Sequence, residues 1–358
     1  MGYFRENVEK AAGYKPGFQP PADLLRKCET AGAGLVKLNT NENPYPPSPL
    51  VMKALSEIKS EQLRRYPDPL AEVFRKAAAE VHGVKPENIM ACNGGDELLS
   101  MAIRAFCDEN RPVAYPVPTY SLYPVLAKLQ NCKAIEIPFN DDFSLPSGIE
   151  KTKAALTIIC NPNAPTGSFV SPSKIADLAK KLKGILLIDE AYIDFADDNC
   201  LSLIKDFDNL IILRSMSKGY SLAGIRFGYA VACEGLIEGL LKLKDSYNVD
   251  AAATAAATAA IKDQKVFKEN VAKIKKEREI LSEKLRGLKF DVPKSYSNFL
   301  LARIKGSPAK TIYEKLVSRH IYVRFWDVPG LENKLRISVG TAEQNDKLIA
   351  ALKEILPQ

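Results

Sequence analysis

From Asn88 onward, short apolar runs alternate with stretches whose apolar residues recur every three or four positions, a pattern of strands joined by amphipathic helices. Strands are expected at Ile89–Cys92, Val113–Tyr115, Ala134–Ile137, Ala155–Cys160, Ile185–Ile188 and Leu210–Leu213. The last of these is short, β-branched and apolar, as suits a strand buried on both faces of a parallel sheet. Helices are expected at Glu97–Phe106, from Pro118-Thr119-Tyr120 onward with Thr119 as N-cap, and at Ser173–Leu182. Upstream, Leu70, Val73, Phe74, Ala77, Ala78 and Val81 have helical spacing, which Gly83 stops.

Beyond the sheet pattern, Asp250–Ile261 is nearly all alanine and threonine, which predicts a closely packed helix at a domain or subunit interface. Asp263–Gly287 follows as a long charged helix whose stripe of Val266, Val271, Ile274, Ile280, Leu281 and Leu285 suits a connector between two domains. The remainder predicts a compact α+β unit. Its strands fall near Phe299–Ile304, Ile321–Arg324 and Leu335–Val339, and its helices near Lys310–Ser318 and Glu343–Ile355. Thr341 and Gln344 form a capping box for the final helix. Gly13, Pro16, Gly17, Pro20 and Pro21 make the start an arm with one short helix over residues 22–30. The expected division is an arm over 1–40, a large α/β domain over 41–262 and a small α+β domain over 263–358.

With 358 residues the chain is long enough for such a division. The net charge of +7, from 50 basic and 43 acidic residues, favours small phosphorylated anions and is too dispersed to argue for nucleic acid. Seven cysteines, an odd number with no C-x-x-C pair, argue against a disulfide framework and for a reducing, cytoplasmic setting. His82 and His320 are the only histidines and neither has metal-ligand spacing, so histidine-based zinc and Ser-His-Asp chemistry are poor candidates. No secretory signal and no membrane-length apolar run are visible. No G-x-G-x-x-G follows a strand, which weighs against a nucleotide-binding dehydrogenase.

The stretch Asn209–Ala230 carries the candidate chemistry: an apolar strand runs into a turn holding Ser215, Ser217, Lys218 and Gly219, with Gly224 and Arg226 beyond. A lysine just past the C-terminal end of a core strand stands where open α/β sheets bind ligands. Burial and nearby cations lower its pKa, giving a neutral amine able to attack a carbonyl. Alone, S-x-S-K with a downstream Gly and Arg favours a solvated loop lysine, and the other motifs of the chain shift that balance. The turn Asn93-Gly94-Gly95-Asp96 before a helix offers backbone N–H groups to an anion. Asn41 and Asn43 in the loop Leu38–Pro49, and the turn Asn161–Gly167, offer side-chain amides to a polar ligand. Asp189 and Glu190 end a buried strand, and a buried carboxylate there needs a cationic partner. Arg324 and Arg336 stand on strands of the small unit and suit a carboxylate or phosphate.

Taken in order, LNTNENP at 38–44, RYPD at 65–68, NGGDE at 93–97, PNAPTG at 162–167, DEAY at 189–192, Ser215–Arg226 and Leu335-Arg336 resemble the fold type I pyridoxal-phosphate aminotransferases. Within that superfamily the match is to the histidinol-phosphate aminotransferase group, over nearly the whole chain. The resemblance implies pyridoxal 5'-phosphate held by Lys218, which then carries a proton at the substrate Cα. It implies Asp189 against the pyridine nitrogen, Tyr192 near the ring hydroxyl and Tyr120 stacked on the ring. Around the phosphate it implies Gly95, Asp96 through its N–H, Ser215, Ser217 and Arg226, with Tyr66 reaching in from the second subunit of a homodimer. For substrates it implies Arg336 at the glutamate carboxylate, Arg324 at the phosphate of histidinol phosphate, and Tyr14, Asn41 and Asn43 lining the pocket. The chain departs from the family at Ala164, where relatives carry the asparagine that donates to the ring hydroxyl; Asn163, Asn161 or Tyr192 alone are the replacements. The expected activity is exchange of an amino group between histidinol phosphate and 2-oxoglutarate, in histidine biosynthesis. Aromatic transamination, threonine-phosphate decarboxylation and a catalytically silent cofactor binder are the alternatives.

Overall fold

The computed structural model describes residues 2–21, 23–24, 34–304 and 308–356; the short helix expected over 22–30 falls largely outside them. After a two-residue strand β1 (Val36–Lys37), the apolar runs become β2 (Ile89–Cys92), β3 (Val113–Val117), β4 (Ala134–Pro138), β5 (Leu156–Cys160), β6 (Ile185–Asp189), β7 (Leu210–Ser215) and β8 (Gly228–Ala232). They form a seven-stranded sheet in the order β2-β8-β7-β6-β5-β3-β4. Only β8 runs against the rest, pairing antiparallel with both β7 and β2.

Successive strand residues face opposite sides, and the apolar residues divide accordingly. Ile159, Leu186, Ile188, Leu210 and Ile212 join one core with the helices Glu72–His82, Pro172–Lys181 and Ala251–Lys262. Ile158, Leu187, Ile211 and Leu213 join the other with the helices Gly95–Phe106 and Leu122–Leu129. Covering both faces explains why these strands read as unbroken apolar runs, each buried aliphatic side chain contributing roughly 1.5–3 kcal/mol. In the Ala-rich helix, Ala253, Ala256, Ala257 and Ala260 are buried, the close packing that small side chains allow.

A second sheet, β12-β13-β10-β9, is built from β9 (Phe290–Asp291), β10 (Phe299–Ile304), β12 (Arg324–Phe325) and β13 (Lys334–Ser338); β11 (Ile321–Tyr322) instead pairs in parallel with β1. Leu300, Leu316, Ile337, Leu348 and Leu352 form its core, together with Val36 and Leu38 from the N-terminal segment. The helix Gln264–Gly287, about 36 Å long at 1.5 Å per residue, links the two cores: Phe267 packs on the first and Leu281 and Leu285 enter the second. The final helix begins with the expected capping box, Thr341 accepting from the Gln344 N–H and Gln344 accepting from the Thr341 N–H.

Three expectations need correction or addition. Thr119 is not a helix N-cap: the helix starts at Leu122, and the Thr119 hydroxyl instead donates to Asn163 Oδ1 at 3.0 Å. The strand expected over Ile321–Arg324 breaks at Val323, because its two halves pair with different sheets. β8 and the helices Pro49–Ser56 and Glu234–Leu241 are additional elements. Gly228 opens β8 because a side chain there would stand 2.9 Å from the backbone of Gly94 and Gly95. The strand thereby clamps the glycine turn at the sheet's edge. No helix among the described residues is long and apolar enough to cross a membrane.

Candidate active site

The C-terminal ends of β5, β6 and β7 open toward the second sheet across a cavity of about 600 Å³. Asp189, Ser215, Ser217, Lys218, Arg226 and Tyr120 line it from the large sheet, Arg324, Trp326 and Arg336 from the small one, and Tyr14 and Asn41 from the N-terminal segment. Ligand sites at this edge are the rule for open α/β sheets.

Met216 plunges into the core directly after β7, fully buried, so the chain turns sharply and Ser217 and Lys218 are turned toward the cavity. The Ser217 N–H donates to Ser215 Oγ at 3.2 Å, tightening that turn. Lys218 Nζ donates to the Thr40 carbonyl at 3.3 Å and lies 5.6 Å from the Tyr192 ring centre. Burial lowers its pKa to about 8, Arg336 and Arg226 assisting and Glu42 opposing. Below that pH the ammonium predominates and above it the neutral amine. Reductive methylation of Lys218 in the cofactor-free protein is therefore expected to rise with a midpoint near pH 8, and a midpoint near the ordinary lysine value would refute the depression.

Asn43 supports this turn from behind. Its Nδ2 donates to the carbonyls of Lys218 and Gly219 at 2.9 and 3.2 Å, and its Oδ1 accepts from the Tyr45 N–H. Asn43 does not line the cavity, contrary to expectation, because its amide is fully used on backbone. A side chain at Gly219 would collide with Asp194, so glycine is required there by close approach.

The adjacent carboxylates have different fates. Glu190 turns into the protein and pairs with Arg214 at 3.0 Å, while Arg214 also reaches Asp194 at 3.4 Å. Asp189 lies on the cavity and has no cationic partner among the described residues; its Oδ2 accepts from the Tyr123 hydroxyl at 2.7 Å and its Oδ1 from the Ala191 N–H at 3.1 Å. Burial raises its pKa to about 6 against the lowering effect of those two donors. The cationic partner that a buried carboxylate calls for is thus supplied by the chain for Glu190 and left to a ligand for Asp189. Tyr123, which orients Asp189, carried no signal in the sequence: a fully buried tyrosine reads as core until its hydroxyl has a partner.

Tyr192 stands edge-on to Phe299 and accepts from Asn41 Nδ2 at 3.0 Å. Burial pushes its phenol up to about 12, so it remains protonated at neutral pH. Asn41 adopts φ +56°, and is held there by Ser338 Oγ on its N–H and by Asn298 Nδ2 on its carbonyl. Beside Ala164, the two neighbouring asparagines are engaged within the protein. Asn161 is closed in a pair of hydrogen bonds with the Val170 backbone, and Asn163 donates to Pro118 O and Thr166 Oγ1 while accepting from Thr119. Neither residue is among those that line the cavity. Tyr192, backed by Asn41, is the polar group that remains.

At the other end of the cavity Gly94, at φ +76°, leads into the helix Gly95–Phe106, whose first residues Gly95 and Asp96 line the cavity together with Ser217 and Arg226. A side chain at Gly94 would stand 2.8 Å from Arg226 Nη2. Arg226 Nη1 donates to Ser217 Oγ at 3.4 Å and Nη2 lies 3.5 Å from Asp96 Oδ2. Asp96 Oδ1 also accepts from the Tyr120 hydroxyl at 3.2 Å. Glycine backbone, helix N-terminus, serines and arginine make a site for a phosphate. Tyr66 is not brought here: it is exposed and stacks on Tyr247 at 4.4 Å.

Across the cavity, Arg336 donates to the Asn39 carbonyl at 2.8 Å, and its buried Nε has no acceptor. Arg324 holds the arm through the carbonyls of Pro16 and Lys15 at 3.3 and 3.2 Å. Tyr14 meets Tyr120 edge-on at 5.7 Å.

The family model described as aminotransferase class I and II matches residues 33–352. A curated histidinol-phosphate aminotransferase 1 of Trichormus variabilis is 46% identical over 99% of both chains. A histidinol-phosphate aminotransferase of a Geobacter species is 43% identical over 99% of this chain and 98% of its own. The crystal structure of the histidinol-phosphate aminotransferase of Sinorhizobium meliloti in complex with pyridoxal-5'-phosphate superposes with a TM-score of 0.88, at 26% identity over 99% of this chain and 98% of that one. An amine-bearing turn, an uncompensated buried carboxylate and a phosphate-sized cradle at one sheet edge agree with this likeness along the whole chain, which belongs to the class I and II aminotransferase family.

Proposed function

We propose that the chain is a pyridoxal-phosphate-dependent aminotransferase that exchanges an amino group between histidinol phosphate and 2-oxoglutarate, giving imidazole-acetol phosphate and glutamate in histidine biosynthesis. The residues fit the cofactor: Asp189 lacks a cation on the cavity side, as a protonated pyridine nitrogen would require. The Gly95 helix start with Ser215, Ser217 and Arg226 suits its phosphate, and Tyr120 offers a ring face. Bound there, the cofactor supplies an aldehyde for the substrate amine and a ring that takes up the electron pair left at Cα. Lys218, neutral above about pH 8, is the side chain that would take the proton from substrate Cα and hold it for return. Tyr192, held by Asn41, would meet the ring hydroxyl of the cofactor, and Asp189 would hold its ring nitrogen.

The observation that carries the substrate assignment is the pair Arg324 and Arg336, facing Lys218 across one cavity. A substrate with an amine at one end and a dianion at the other spans that arrangement. Loaded protein mixed in single turnovers with histidinol phosphate, phenylalanine or phosphothreonine should react fastest with the first. Arg324→Ala should raise KM for histidinol phosphate by roughly 10–100-fold, the loss of about 1.5–3 kcal/mol from a charged hydrogen bond, with a much smaller effect on glutamate. Fastest reaction with phenylalanine, or equal losses for both substrates, would overturn the assignment.

We divide the chain into an arm over 1–40, a large domain over 41–262 and a small domain over 263–358; Val36 and Leu38 in the second core support grouping the arm with the small domain. We also place the enzyme in the cytoplasm as a homodimer with shared sites. Met52, Leu63, Tyr66 and Val73 are each at least 60% exposed, an apolar surface that a second copy would cover and that would carry Tyr66 toward the partner's site.

A further inference from the structure

Arg324 on β12 and Arg336 on β13 are direct cross-strand partners. Like charges so placed repel, and among the described residues no carboxylate pairs with either. The acidic residue nearest in sequence, Asp327, lies 3.7 Å from Lys310 instead. Three backbone carbonyls, of Pro16, Lys15 and Asn39, take some of the guanidinium donors, but carbonyls carry no countercharge. What the two cations share is one ring. Both guanidinium carbons lie 5.1 Å from the centre of the Trp326 indole, and Arg336 also lies 5.2 Å from the Phe299 ring. Trp326 follows Arg324 by two residues, which puts their side chains on the same side of the extended chain, and it lines the cavity.

We propose that Trp326 is a positioning residue: its indole face offsets the repulsion between Arg324 and Arg336 and holds the two guanidiniums together toward the cavity before any anion arrives. The negative face of an indole attracts a cation within about 6 Å, and here one ring serves two. Holding the pair in advance lowers the cost of ordering it on binding. The anionic end of the substrate then meets both cations in place. Identification of that anion as the substrate's rests on the function proposed above; the arrangement of ring and arginines does not.

The test uses the loaded enzyme with Trp326→Leu and Trp326→Phe. Leucine should raise KM for histidinol phosphate, and Ki for inorganic phosphate as a competitive inhibitor, about tenfold while kcat changes less than about threefold. Phenylalanine, which keeps a ring face, should restore both to within about threefold of the native enzyme. Unchanged KM and Ki in the leucine variant, a loss confined to kcat, or a phenylalanine variant as impaired as leucine would each overturn the proposal. Trp326 is the sole tryptophan, so inorganic phosphate should also change the fluorescence of the native protein without turnover. Absence of that change counts against Trp326. Its presence alongside failure to turn over histidinol phosphate leaves the role of Trp326 standing and removes the substrate assignment.

Discussion

Lys218→Ala is expected to lower turnover on the order of 10⁴-fold, the upper end for loss of a positioned proton carrier, and to do so without unfolding the protein. Among the described residues Lys218 makes one side-chain hydrogen bond, to the Thr40 carbonyl, and that bond joins two segments already tied by Asn43 to the Lys218 and Gly219 carbonyls. The turn itself is fixed by Met216 in the core and by the Ser215–Ser217 contact, neither of which the substitution touches. Borohydride treatment of the loaded native protein should leave the cofactor covalently attached to the peptide containing Lys218, and the alanine variant should release it on denaturation. Because the amine is held near pKa 8 by burial and two arginines, alanine also removes a buried cation, so thermal stability should be equal or higher. Turnover within about tenfold of the native enzyme would take Lys218 out of proton transfer.

Much of this arrangement is legible in the sequence where chemistry and burial leave a one-dimensional trace. Ile89–Cys92 and Leu156–Cys160 announce themselves because both faces of the sheet are covered, so every position but Thr157 is apolar. The capping box of Thr341 and Gln344 is visible because both partners lie within four residues. Asn43 and Asn163 show the limit: an amide in a polar loop looks available for a ligand, and only the fold reveals that its atoms are taken by the carbonyls of Lys218, Gly219 and Pro118. Tyr123, Arg214 and Trp326 leave no such trace, for the opposite reason. Each is of a type that cores and strands use freely, and their roles arise from partners 66, 24 and 10 residues away, at Asp189, Glu190 and Arg336. The short β8 escaped notice because its apolar residues continue the stretch that follows the lysine turn, and its antiparallel direction is imposed by the sheet edge it fills.

Asp189→Asn should act in opposite directions on catalysis and on stability. On the function proposed above, the carboxylate's charge would face the ring nitrogen of the bound cofactor, and neutral asparagine would keep the shape while removing that charge, at an expected cost of roughly 10²–10³ in kcat for one preorganised electrostatic partner. In the cofactor-free protein the same charge is a burden. Burial raises the Asp189 pKa from the ordinary 3.8 to about 6, because the Tyr123 hydroxyl and the Ala191 N–H only partly replace water around it. A carboxyl whose folded-state pKa is raised binds its proton more tightly in the native state, so stability falls as pH rises between the two values and is constant above the higher one. The difference corresponds to at most about 3 kcal/mol at 1.36 kcal/mol per pH unit. Asparagine should recover part of it, since its Nδ2 then faces the cavity without an acceptor. Denaturant unfolding of the cofactor-free variant should therefore show higher stability than the native protein at pH 8 and no difference at pH 4, where the native carboxyl is already protonated in the fold. Equal stability at pH 8 would mean that Asp189 has a cation the cavity does not display, and the case for its pairing with a ring nitrogen would go with it.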